Sequence, residues 1–127
     1  MRKVLVVDDD TDILEVVDMA LTMNEYLVKA ISNWEEINAA LDEFGPELVL
    51  LDVSLRGADG RDICKEIKTS QKAGHLPVIL FSANQNMGAF IIDCHAQAFI
   101  PKPFELGHLI DTVKKYLPTN ASEEVID

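Results

Sequence analysis

Four short strand-like stretches of this chain, each running into a polar group, are apolar on consecutive residues, and that pattern constrains its fold more than any other feature. Val4-Leu5-Val6-Val7, Leu48-Val49-Leu50-Leu51, Val78-Ile79-Leu80-Phe81 and Ala98-Phe99-Ile100 leave no face for water. A strand of this kind is covered on both sides, the condition of a parallel sheet enclosed between helices. Tyr26 to Ile31 reads as one further strand. Helical patterns fill the intervals. Ile13, Val16, Val17, Ala20 and Leu21 form a one-sided stripe. Ser32 and Glu35 have capping-box spacing and open a second helix carrying Ile37, Ala40, Leu41 and Phe44, which Gly45-Pro46 ends. A third helix follows Gly57-Ala58-Asp59-Gly60, with Ile63 and Ile67 inward, and a shorter fourth spans about Gln85 to Cys94. Leu106, Leu109, Ile110, Val113 and Leu117 define the last, stopped by Pro118.

Right-handed crossovers leave few topologies for such a chain. The strand at 26–31 ends in Ile31-Ser32-Asn33 and brings no acid, whereas the other four end in polar groups. Asp8-Asp9-Asp10 closes the first, Asp52 the third, Ser82 the fourth and Pro101-Lys102-Pro103 the fifth. A doubly wound α/β sheet of flavodoxin-like (βα)5 type, ordered 2-1-3-4-5, sets the silent strand at the edge. It gathers the other four ends at one crevice, where open α/β sheets hold ligands. We expect one domain over residues 1–118 and a flexible acidic tail at 119–127.

Asp8, Asp9 and Asp52 in one crevice repel each other and need compensation. Hard oxygen ligands suit Mg²⁺, which takes one or two carboxylates, several waters and phosphate oxygens. Asp10 and Asp12 are expected to serve as helix-terminal acids instead. A carboxylate beside a metal can attack phosphorus, which makes Asp52 the candidate nucleophile. Ser82 is placed to donate a hydrogen bond to a phosphoryl oxygen, and flanking prolines hold the Lys102 ammonium. Cys64 and Cys94 lack metal-ligand spacing and read as reduced, buried or half-buried residues of a cytoplasmic protein. His75, His95 and His108 share no ligand spacing, and Trp34 reads as a packing aromatic. No apolar stretch approaches the roughly 20 residues of a membrane span, and Met1-Arg2-Lys3 leads straight into structure without a signal-peptide pattern. The net charge of −11 argues against nucleic acid or anionic membrane as a partner of this domain.

With these residues in place, residues 2–118 resemble the response regulator receiver domain of two-component signalling. Val-Leu-Val-Val-Asp-Asp at 4–9 is similar to the family's acidic pair, and Leu-Leu-Asp-Val-Ser-Leu at 50–55 to its phosphoacceptor segment. Asp59-Gly60, Ser82-Ala83 and Lys102-Pro103-Phe104 follow in the family's order, and Phe99 falls at its switch aromatic. The resemblance implies that Asp52 takes a phosphoryl group from a sensor histidine kinase or a histidine phosphotransfer protein. It implies Mg²⁺ held by Asp9, Asp52 and the Ser54 carbonyl, with Asp8 acting through water. A cis Lys102-Pro103 bond is also implied, as is a switch from Ser82 to Phe99 that alters the surface of the fourth helix, fifth strand and last helix. Such a domain catalyses only its own phosphorylation and dephosphorylation. Four departures stand out. Arg56 replaces a frequent proline, His95 replaces a glycine before the fifth strand, the interval from Ser82 to Lys102 is short, and Ala96-Gln97-Ala98 lacks acids found in many DNA-binding relatives.

An aspartate-nucleophile, Mg-dependent phosphohydrolase uses similar residues, but it carries a second aspartate where this chain has Ser54, and it needs a cap domain. A flavodoxin would bring a flavin phosphate against Asp8-Asp9-Asp10, which repel it.

Overall fold

The structure, a computed structural model, describes residues 1–83 and 94–119. The strands are β1 (Arg2–Val7), β2 (Tyr26–Ile31), β3 (Leu48–Asp52), β4 (Val78–Ser82) and β5 (Ala98–Pro101). They form one parallel sheet in the order β2-β1-β3-β4-β5. This is the expected doubly wound, flavodoxin-like arrangement. Around it lie α1 (Thr11–Met23), α2 (Ile37–Glu43), α3 (Gly60–Thr69) and the last helix, α4 (Leu106–Tyr116). The helix expected over 85–94 lies outside the described residues except for Cys94, which is helical and buried.

Alternate residues of the central strands go to opposite cores, as a pleated strand dictates. Leu5, Val7, Val49, Leu51 and Leu80 pack with Ile37, Ile63 and Ile67 of α2 and α3. Val4, Val6, Leu48, Leu50, Ile79 and Phe81 pack with Val17 and Leu21 of α1 and Leu109 and Val113 of α4. All five residues of β3 are buried. Fully burying one such aliphatic side chain is worth roughly 1.5–3 kcal/mol, more than a helix cap at ~1 kcal/mol or a surface ion pair. The two cores therefore dominate the stability, and they fix which way every strand-end residue points.

The helix ends follow the sequence in part. Asp10 caps α1 as expected, its Oδ1 accepting from the N–H groups of Asp12 and Ile13 at 3.0 and 3.3 Å. The second helix departs from its expected capping box. Asn33, not Ser32, is the cap, accepting from the Glu35 N–H at 3.0 Å, and the first turn is a 3₁₀ turn over Trp34–Glu36. An asparagine carbonyl reaches the N–H two residues along, so the start moves by one position. On α1 the inward residues are Leu14, Val17 and Leu21, while Val16 is 46% exposed on the outer side. Leu106 is 41% exposed in the first turn of α4, which lies past the strand ends. A two-stranded hairpin, Ser54–Leu55 against Ala58–Asp59, stands where the sequence showed only a turn. Thr119, expected to begin a frayed tail, is buried, and residues 120–127 lie outside the described residues.

Candidate functional site

The pleat that builds the two cores also sorts the strand-end residues. Asp8 continues the phase of Val4 and Val6, Asp52 that of Leu48 and Leu50, and Lys102 that of Ile100, so all three point to the α1 and α4 side. Ser82 continues the phase of Val78 and Leu80 and points to the α3 side. There it lines a cavity of about 340 Å³ with Val53, Ser54, Leu55, Ala58, Asp59 and Arg61. Phe99 is half-buried on that same side, and its backbone pairs with Leu80.

Lys102 joins the acids. Its Nζ donates to Asp8 Oδ2 at 2.9 Å and lies 3.3 Å from Asp52 Oδ1. It also sits 5.1 Å above the centre of the Phe81 ring, and the Lys102 backbone N–H donates to the Ser82 carbonyl at 2.8 Å. The Lys102-Pro103 bond is cis, as expected. Asp8 is fully buried, and its other oxygen accepts from the Asp10 N–H at 2.9 Å. Burial of such a carboxylate is tolerable only with partners of this kind.

Asp52 is 3% exposed, and its pKa rises from 3.8 to about 6. Desolvation is the main cause and the charge of Asp8 the second. Lys102 and the Ser54 backbone N–H pull the other way without cancelling them. Burial alone would lower the Lys102 ammonium, but the hydrogen bond to Asp8 and the charges of both carboxylates outweigh it and hold the pKa above its ordinary value. Asp9 completes the group, with one oxygen from each of Asp8, Asp9 and Asp52 lying within 4.8 Å of the others. Three carboxylates against one buried ammonium leave an excess of negative charge, and the donors are all hard oxygens. This set fits a divalent cation such as Mg²⁺.

Several contacts around the site add geometry that the sequence motifs do not supply. Gly60 opens α3 against the end of β3, and a Cβ built there would stand 2.1 Å from the Asp52 carbonyl oxygen. Only glycine lets the helix start so close to the strand. Asp59 caps α3 and is forked by Arg61, whose hydrogen bonds hold the Asp59 carboxyl below its ordinary pKa. Arg56 at the hairpin tip places Nε 3.8 Å from Asp9 Oδ2. Phe81, read from sequence only as strand, supplies the ring beneath Lys102.

The model of the response regulator receiver domain matches residues 4–114. The chain belongs to that family. It is 30% identical over 118 residues to the transcriptional regulatory protein GltR of Pseudomonas aeruginosa, covering 91% of this chain and 49% of GltR. The chain thus spans about half the length of that curated relative. The DrrB response regulator of Thermotoga maritima, an OmpR/PhoB homolog, is 31% identical with a TM-score of 0.81, over 92% of this chain and 52% of DrrB. The chemotaxis protein CheY4 of Vibrio cholerae shares the fold at a TM-score of 0.84 and 22% identity, over 92% of this chain and 99% of CheY4. Residues 4–114 therefore form a response regulator receiver domain of two-component signalling. No helix among the described residues is long and apolar enough to cross a membrane.

Proposed function

We propose that Asp52 is the phosphoacceptor, taking its phosphoryl group from the phosphohistidine of a sensor kinase or histidine phosphotransfer protein. The observation that carries this reading is the Lys102 ammonium held between two buried carboxylates, 2.9 Å from Asp8 and 3.3 Å from Asp52. An Asp52 oxygen attacks phosphorus, the P–N bond to the donor imidazole breaks as the P–O bond forms, and the imidazole leaves and takes up a proton. Lys102 offsets charge on the transferred group, and Ser82 donates to one of its oxygens. Asp9, Asp52 and the Ser54 carbonyl would hold Mg²⁺, with Asp8 acting through water. When bound, the ion neutralises the acids and polarises the phosphoryl oxygens. The domain catalyses only its own phosphorylation and dephosphorylation, as a signalling module. Its partners are the phosphodonor protein and a downstream protein target, and neither nucleic acid nor membrane binds through this domain.

The output follows from the sorting of faces. New phosphoryl oxygens on Asp52 draw the Ser82 hydroxyl, and Phe99 on the same face of the next strand turns into the space beside it. Incubation with acetyl phosphate and Mg²⁺ should place an acid-stable, base-labile phosphoryl group on Asp52 and none on Asp52→Asn. Phosphate on a serine or histidine in peptide mass spectra would refute the assignment. With beryllofluoride as phosphoryl mimic, hydrogen exchange should change at the amides of Ala98, Phe99 and Ile100 as well as beside Asp52. A change confined to the acidic crevice would refute the switch.

A further inference from the structure

Arg56 stands at a position of unusual leverage. Leu55 pairs with Ala58, so Arg56 and Gly57 form the two-residue tip of the hairpin that follows Asp52. Gly57 has φ 81, the value required at the third position of a type II turn. The second position of such a turn suits proline, and here it carries an arginine. The turn is braced from below, because a Cβ on Gly57 would lie 3.4 Å from the Trp34 indole nitrogen. Leu55 is buried at the root of the hairpin. The backbone that presents Arg56 is thus held, while its side chain is 92% exposed and free to swing from a fixed base.

From that base Arg56 Nε lies 3.8 Å from Asp9 Oδ2, at the one carboxylate of the cluster that Lys102 does not hold. We infer that Arg56 is a counterion with two alternative partners: the Asp9 carboxylate before phosphorylation, and the incoming phosphoryl anion during it. This rests on the reading of Asp52 as phosphoacceptor. While Arg56 neutralises Asp9, it competes with a divalent cation for that carboxylate. Once a cation occupies the acids, the guanidinium is released at the mouth of the crevice. It is then available to the phosphate oxygens of an anionic phosphodonor. A guanidinium presents a planar fork of donors that matches phosphate oxygens, so the same side chain serves both partners. Arg56 is in this sense a specificity-determining residue for the phosphodonor and for the cation.

The two roles predict effects of opposite sign in a single variant. In low salt and without phosphodonor, Arg56→Ala should bind Mg²⁺ roughly twofold to fivefold more tightly by calorimetry, the range open to an exposed ion pair. At saturating Mg²⁺ the same variant should react with acetyl phosphate roughly twofold to fivefold more slowly, as a second-order rate constant. Arg56→Lys, which keeps the charge, should recover most of both. Both differences should collapse at about 0.5 M salt, where the screening length falls to a few ångströms. Simple loosening of the loop would weaken Mg²⁺ binding and leave the salt dependence unchanged, and that result would overturn the inference. So would an Arg56→Ala protein equal to the unsubstituted one in both measurements while Asp52 is still phosphorylated. If the unsubstituted protein takes up no phosphoryl group, the reading of Asp52 falls first, and the anion half of the inference falls with it.

Discussion

Asp52→Asn should make the metal-free protein more stable, although it removes the group on which the proposed function depends. The buried carboxylate titrates at about 6 instead of 3.8. At 1.36 kcal/mol per pKa unit, that rise penalises the charged form by roughly 3 kcal/mol in the folded state at neutral pH. The sign follows from linkage. A folded pKa raised above the unfolded one gives stability that is complete below pH 3.8 and lost as the pH climbs through about 6. Asparagine has nearly the same shape and no charge, so it should escape the loss. The figure is a ceiling, because the amide accepts less well from Lys102 and from the Ser54 N–H. A gain of about 1–3 kcal/mol is expected at pH 7.

Urea denaturation in a chelating buffer between pH 4 and 8 measures this directly. The curves of the two proteins should converge near pH 4 and separate steadily up to pH 7. Groups distant from Asp52 contribute equally in both proteins and drop out of the difference. Magnesium should then narrow or reverse the gap. A ligand at about 100 times its dissociation constant adds roughly 2.7 kcal/mol, and the variant lacks one of the three carboxylates that would hold it. A variant less stable than the unsubstituted protein at pH 7 without metal, or a gap that widens on acidification, would refute the balance of burial and repulsion argued for Asp52.

Two backbone predictions accompany it. Gly60→Ala should destabilise the domain by about 3 kcal/mol or more, since its methyl group meets strand backbone that cannot move aside; an equilibrium melt reads the loss, and a change under ~1 kcal/mol would mean that α3 can retreat from β3. His95→Gly should stabilise by roughly 0.5–1 kcal/mol, because His95 occupies the left-handed region at φ 63; the same melt checks it, and a loss of stability would show that the imidazole makes up for the strain.

Much of the site was legible because it is anchored to elements with strong apolar signals. Runs such as Leu48-Val49-Leu50-Leu51, short and followed by turn residues, read as strands covered on both faces, which puts Asp52 at a strand end. The cap at Asp10 was legible for the same reason, since it directly precedes a periodic helix. The strain at His95 could be read from the residue that stands where a glycine belongs. The misreadings share a different cause. Ser32 and Asn33 are both competent caps, and residue type alone does not decide between them. Two-residue strands such as Ser54–Leu55 carry no periodicity to detect. Gly60 was marked by the Asp59-Gly60 motif, but the reason for a glycine there, the approach of α3 to the Asp52 carbonyl, is a tertiary distance. The reach of Arg56 to Asp9 depends on the rotamer of an exposed side chain, which sequence does not specify.

The coupling of Ser82 to Phe99 lies between these cases. Alternation along each strand is strict, so one can read from sequence that Ser82 shares a face with Leu80 and that Phe99 opposes the face of Ile100. What alternation cannot supply is the register between strands. A slip of one residue would turn Phe99 toward α1 and α4 and leave Ser82 beside Ala98 or Ile100. The observed pairing of Leu80 with Phe99 and Ser82 with Pro101 sets the ring diagonally beside the hydroxyl, on the side away from Lys102. A phosphoryl group on Asp52 would therefore act on two faces of one sheet edge at once. Lys102 would offset its charge on the α1 and α4 side, and Ser82 would carry its presence to the α3 side. The second face holds the half-buried ring of Phe99, and that placement gives the proposed switch its direction.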